Sequence, residues 1–318
     1  MRDFSDSLLN EIAERLASTD PGIRRVAVMD LVESSEPEAA ELLVAALKDP
    51  DPGVRREAAK IIDEFDASAM TTALVDVLTA DDENVRNAAA RALSDIKDPA
   101  AAPALLEALD NEDPFVIAAI LKALKPLRVA EAKPAALRHL VHPDPRVRRE
   151  AVGVLGYLHA PDTLDALKKV GSDDSDDEVR RAAIGALLFG EPPVVADTVV
   201  RALDDAHWQV RAEAAVSLGK LGSVDAVPPL IGATRDGYWQ VREKACEALG
   251  KLRAIVAIDC LGECAGDAMS NLRKAAIAAL GEIAHINGRP YIEHAMNDPD
   301  PDVRKLARWA LGKLNTAI

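Results

Sequence analysis

Residues 144–156 read DPRVRREAVGVLG and residues 300–312 read DPDVRKLARWALG, two copies of one phrase 156 residues apart. At their centre an apolar residue precedes an arginine, and the same apolar position recurs at Ile23, Val54, Val85, Val116, Val147, Val179, Val210, Val241, Leu272 and Val303. Successive members are 31 residues apart, except for 32 between Val147 and Val179. A period of this length is the mark of stacked supersecondary units. Ten such units fill residues 1–318 as a single repeat domain and leave no room for a separate catalytic one.

The unit from Pro37 to Phe65 shows what each copy builds. Ala40, Leu43, Ala46 and Leu47 recur at steps of three and four residues, which places them on one face of a first helix. Asp49-Pro50-Asp51-Pro52 breaks that helix, because proline has no amide hydrogen and disfavours helix in the residue before it. Asp51 is placed to cap a second helix that has Pro52 at its first position and a buried stripe of Val54, Ala58, Ile61 and Ile62. Each antiparallel pair has an apolar side that only a neighbouring pair can cover. Alanines four residues beyond the valine, such as Ala58, Ala89, Ala151, Ala214, Ala245 and Ala276, let second helices approach closely.

Composition narrows the function classes. A formal net charge of −15 argues against nucleic acid and anionic lipid as partners, since both are held by many lysine and arginine contacts to phosphate. Residues 1–16 carry acids where a signal peptide has a basic region, and no apolar run is long enough to span a bilayer. Three cysteines do not make a disulfide framework, so the expected location is cytoplasmic.

The DPxVRxxAxxxLG pattern of residues 144–156 and 300–312 resembles the HEAT-like repeat found in phycobilisome bilin lyases and in many bacterial scaffold proteins. The resemblance runs the length of the chain and implies an all-α, right-handed α-solenoid of about ten helix pairs. It also implies that second helices line a concave wall and that repeated aspartates and arginines stack as ladders between units. Function is not implied, because such repeats serve adaptors, chaperone-like factors, lyases and a few enzymes.

Departures from the repeat are where function has room to show. Aspartate holds the cap position at Asp20, Asp51, Asp82, Asp113, Asp144, Asp176 and Asp300, but His207, Tyr238 and Met269 replace it in three consecutive units. Trp208, Trp239 and Ser270 stand there in place of proline. One reading makes His207, Trp208, Tyr238 and Trp239 an aromatic ridge that anchors a partner. The other has Asp205 and Asp236, two residues earlier, take over the capping while the indoles cover helix ends. Two residues beyond the valine, Arg25, Arg56, Arg149, Arg181, Lys274 and Lys305 form a mainly basic column. That column either steers an anionic segment or pairs with neighbours such as Glu57 and Glu150. Gly153 and Gly185, four residues further on, are small enough to admit an inserted helix or chain end.

Catalytic signatures are sparse. Cys260 and Cys264 are one turn apart and Cys246 lies one helix earlier, an arrangement open to metal or chromophore binding, but Cys264 aligns with Ala46 and Ala108 and the cysteines are read as small core residues. No CxxC or HExxH spacing occurs, and none of the six histidines is followed by glutamate, as the His-Glu pairs of HEAT-like hydroxylases would require. The run DDSDDE, residues 173–178, lacks the glycine and distant glutamate of a calcium loop and suits a helix N-terminus. The sequence thus predicts a non-catalytic scaffold or assembly factor with no cofactor and no metal. Its partner is a protein, through an acidic or extended segment laid in the groove. The contact residues would be His207, Trp208, Arg211, Tyr238, Trp239, Arg242, Arg149 and Arg181. A bilin lyase-like attachment factor and an immunity or inhibitor protein are the alternatives.

Overall fold

A computed structural model describes residues 7–34, 38–66 and 70–317. Among these residues lie twenty α-helices, α1 to α20, joined by turns and short 3₁₀ segments and packed in sequence as ten pairs. The architecture is the all-α solenoid expected from the period. None of these helices is long and apolar enough to cross a membrane.

The chain divides into two compact units, 1–158 and 159–318. In the first, α2 (Pro21–Asp30), α4 (Pro52–Ile61), α6 (Glu83–Asp95), α8 (Pro114–Leu124) and α10 (Pro145–Leu158) are the second helices of the pairs, and each packs on the next. In the second unit the same row is α12 (Asp177–Ala186), α14 (Trp208–Leu221), α16 (Trp239–Lys251), α18 (Ser270–Ile283) and α20 (Pro301–Ala317).

Local chemistry explains the helix starts. Asp51 accepts hydrogen bonds from the amides of Gly53 and Val54 at 2.8 and 3.1 Å, with Pro52 at the first helical position. Asp20, Asp82, Asp113 and Asp176 cap their helices in the same way. From Val54 to Val303 every member of the valine column is buried. Ile23 is the exception at 44% exposed, because no preceding helix pair stands against it among the described residues. In the second pair Ala39, Leu43, Ala46 and Leu47 form the inner stripe of α3 (Glu38–Leu47), so Ala39 takes the place expected for Ala40. In α4 Ala59 is buried and Ile61 only partly so.

Close approach between second helices depends on glycine. A Cβ added at Gly250 would stand 2.7 Å from the Cα of Ala279, and one added at Gly219 would stand 2.9 Å from that of Ala248. These contacts are backbone to backbone, so only glycine fits without a shift of the helices.

Candidate interaction surface

Two sets of contacts run from repeat to repeat through the second unit, and together they place the predicted site residues. One is an Arg–Asp ladder. Arg180 Nε and Nη2 donate to Asp205 at 2.8 and 2.9 Å, Arg211 to Asp236 at 2.6 and 3.0 Å, and Arg273 to Asp298 at 2.7 and 2.8 Å. Arg242 reaches Asp267 through Nη2 at 3.0 Å. Each arginine also donates through Nη1 to the carbonyl six residues before it, as Arg211 does to Asp205 at 2.8 Å. Each aspartate in turn accepts the amide two residues on, as Asp236 does from Tyr238 at 2.8 Å.

Electrostatics follow from this geometry. Burial by itself would raise the pKa of the Asp205 carboxyl, but hydrogen bonds from Arg180 and the His207 amide outweigh it and hold the group below its ordinary 3.8. Asp236 is depressed in the same way by Arg211 and the Tyr238 amide. In the first unit Arg24 and Asp49 form the equivalent rung at 2.8 Å. There the column is interrupted, for Ala80 and Asn111 stand where the next two aspartates would be.

The ladder acid is therefore not the capping acid. It lies five residues before the valine, at Asp49, Asp174, Asp205, Asp236, Asp267 and Asp298, a position whose 31-residue recurrence runs through the sequence from Asp174 onward. Arg211 and Arg242 are ladder members with half-buried guanidinium groups, not free steering charges. Asp205 and Asp236 bind the His207 and Tyr238 amides but do not reach the first turn of the helix, and α14, α16 and α18 have no side-chain N-cap.

The second set of contacts crosses the turns ahead of these helices. The residue in the proline position of one repeat meets the residue in the cap position of the next. His207 Nδ1 lies 3.0 Å from Asp177 Oδ2, and the Trp208 ring stacks on Tyr238 with centroids 5.7 Å apart and planes at 14°. The same register brings Ser270 to Asp300, whose carboxyl is lowered first by the Asp302 amide and also by the Ser270 hydroxyl. Arg211 also sits 5.6 Å from the Tyr238 ring centre, so the ladder supports the stack from within. Trp208 and Trp239 are half-buried, while Tyr238 is 50% and Met269 40% exposed. His207, Trp208, Tyr238 and Met269 thus line one edge of the second unit. Met269, which the sequence marks only as a replaced cap residue, joins this edge through its exposure.

The remaining candidates lie elsewhere. Arg181, on α12, pairs with Glu178 at 2.6 Å. Arg149 belongs to α10 of the first unit, exposed and 3.3 Å from Glu150, which Lys125 holds at 2.6 Å. Arg56 donates to the Pro52 carbonyl at 3.0 Å, and Glu57 pairs with Lys60 instead. Gly153 and Gly185 do not leave an open slot, because Lys125 lies across the first and Glu213 across the second.

The cysteines converge in the core of the second unit. All three are buried. Cys260 donates to the Ala257 carbonyl at 3.1 Å, and Cys264 lies 3.7 Å from that of Thr234. Cys246 donates to Cys264, and this contact together with burial pushes its thiol far up, so it is held protonated. Among the described residues no group of histidine, cysteine, aspartate or glutamate is arranged to hold a metal ion. Asp174, Asp176, Asp177 and Glu178 of the acidic run bind, respectively, the Asp176 amide, the Val179 amide, His207 and Arg181.

The family model for HEAT repeats matches residues 9–83, 61–125, 113–188, 196–269 and 262–317. The chain belongs to the HEAT-repeat family. Its fold is similar to that of an engineered protein, at 22% identity over 98% of this HEAT-repeat chain and 99% of that one, with a TM-score of 0.50. A chain in the structure of Kap95p binding RanGDP is 16% identical over 98% of this chain and 52% of that one, with a TM-score of 0.62. The karyopherin Kap121p, bound to the extreme C-terminus of the protein phosphatase Cdc14p, is 14% identical over 96% of this chain and 41% of that one, with a TM-score of 0.52. At these identities the likeness is one of fold. No curated protein matches the chain.

Proposed function

We propose that this HEAT-repeat protein is a non-catalytic scaffold that holds a protein partner, and that the turn edge of the second unit is its contact surface. The observation that carries the reading is the Trp208–Tyr238 stack, which keeps two large rings in fixed posture while leaving Tyr238 half in solvent. Rigid aromatics lose little conformational freedom on binding and are favoured as hot spots. His207 and Met269 extend the edge on either side, and Trp239 backs it. The partner segment is an extended one, since the contacts repeat along the solenoid at the spacing of its units. Arg149 and Arg181, each already beside an acid, have a subordinate role in steering.

The chromophore-attachment alternative lacks a comparable support. Its candidate thiols are enclosed, and the one with the deepest burial is protonated.

The test is affinity capture from the native cell with wild-type protein and with Tyr238→Ala, followed by identification of bound proteins and circular dichroism of both forms. The reading expects one or more partners to be lost from the variant at unchanged helicity. Identical capture profiles would refute it.

A further inference from the structure

Where the ladder is interrupted in the first unit, one arginine keeps the ladder posture without its acid. Arg55 Nη1 donates to the carbonyls of Asp49 at 2.7 Å and Pro50 at 3.0 Å, as Arg24 does to those of Ser18 and Thr19 at 2.9 and 3.3 Å. Arg24 then presents Nε and Nη2 to Asp49, 25 residues on. For Arg55 that position is Ala80, and among the described residues its Nε and Nη2 bond to nothing. Asn111 brings no charge to the next rung, and there Arg86 turns to Asp113 at 3.8 Å and to the Phe115 ring, 5.0 Å from its centre. Arg55 is thus a planar donor fork fixed by two backbone carbonyls, a shape matched to a carboxylate.

The space beside it is large enough for a ligand. Arg55 and Ala80 line one cavity of about 880 Å³, which continues along the next helix pair to Asn111 and Val116. At the complete rung between Arg273 and Asp298, residues in the same repeat positions line a hollow of about 320 Å³. The rim decides what can enter. Lys48 pairs with Asp76 at 3.2 Å, while Asp81, Glu107 and Asp110 are exposed and, among the described residues, paired with no cation. A polyanion would have to pass three unpaired carboxylates to reach Arg55. A single carboxylate with cations beside it would satisfy the fork and the rim together.

We infer that this cavity binds a peptide segment in which one aspartate or glutamate is flanked by lysine or arginine. Its carboxylate enters the Arg55 fork, in the place that Asp49 holds for Arg24, and the flanking cations meet Asp81, Glu107 and Asp110. The site lies within the first unit and shares no residue with the turn edge proposed above.

The probe is a short peptide, blocked at both ends, with the core Lys-Asp-Lys. Its controls are Lys-Asn-Lys, which lacks the carboxylate, Ala-Asp-Ala, which lacks the cations, and inorganic phosphate. Each is titrated into the full chain at low salt by calorimetry, with the arginine Nε–H signals followed by NMR. The Lys-Asp-Lys peptide should bind and shift the Arg55 signal, and each control should bind about tenfold or more weakly, the loss of a charge-assisted contact. Arg55→Lys, which keeps the charge but not the fork, should lose several-fold. Ala80→Asp, which supplies Arg55 with the rung it lacks, should abolish binding and raise the urea midpoint. That variant leaves the Arg55 bonds to the turn carbonyls intact, so it stays informative even if Arg55→Lys loosens the turn. Tyr238→Ala should leave the affinity unchanged. Absence of binding, equal binding of Lys-Asn-Lys or of phosphate, or undiminished binding to Ala80→Asp would overturn the inference.

Discussion

The indole of Trp208 lies parallel to the ring of Tyr238 in the next repeat, and the Arg211 guanidinium, paired with Asp236, sits against that same tyrosine. The second helices of three consecutive pairs, α14, α16 and α18, lack a side-chain N-cap, a loss of about 1 kcal/mol each. Stacking returns a comparable amount, about 0.5–1.5 kcal/mol for one aromatic pair. The stack offsets about one of the three lost caps and converts a polar turn into an aromatic edge.

Trp208→Ala and Tyr238→Ala should therefore each destabilise the chain by about 1 kcal/mol, and the double variant by less than the sum. Urea unfolding of the four proteins in this double-mutant cycle gives the coupling. Strict additivity would mean the rings do not support one another.

Arg211→Ala should cost about 1.5–3 kcal/mol, because it leaves the Asp236 carboxylate with only the Tyr238 amide as a close partner. Arg304→Ala, which removes bonds to backbone carbonyls but no carboxylate rung, should cost less. Chemical denaturation of the two variants side by side checks the order.

Acid should weaken the ladder from the carboxylate side. Asp205, Asp236 and Asp298 have folded-state pKa values below the ordinary 3.8, so the unfolded chain takes up protons first as pH falls. Their contribution is fully present well above pH 3.8 and is lost as pH drops through that value and then through the lower folded ones. Thermal melts across this range should show a steeper decline in wild type than in Asp236→Asn.

Gly250→Ala should destabilise by about 1–3 kcal/mol, since the new methyl meets the Ala279 backbone and forces α16 and α18 apart. Gly312→Ala meets nothing within 4 Å and should be neutral or stabilising by up to about 1 kcal/mol. Opposite signs for one substitution at equivalent positions, read by thermal unfolding, would verify the packing.

Much of the fold was legible because it is written locally. Asp51 and Pro52 announce a helix start, and Val54 with Ala58 marks the buried side, through bonds and periodicities spanning a few residues. Three departures from the local pattern share one cause. Ile23 fits the column yet is exposed, Ala39 replaces Ala40, and Gly153 is covered by Lys125, each decided by whether and how another repeat lies alongside. The site shows the same division. The unusual residues His207, Trp208, Tyr238 and Trp239 stood out from their neighbours in the repeat, but their posture did not.

By itself the sequence determined the period, the helix pairs, their caps and the family, since a one-dimensional repeat encodes its own neighbours. Only the tertiary structure decided which arginines are spent. Arg211 and Asp236 are 25 residues apart and Trp208 and Tyr238 are 30 apart, so their pairing depends on the stacking offset between successive units. A 31-residue period announces that units stack; the offset, set by close contacts such as Gly250 on Ala279, chooses which side chains meet and which face solvent.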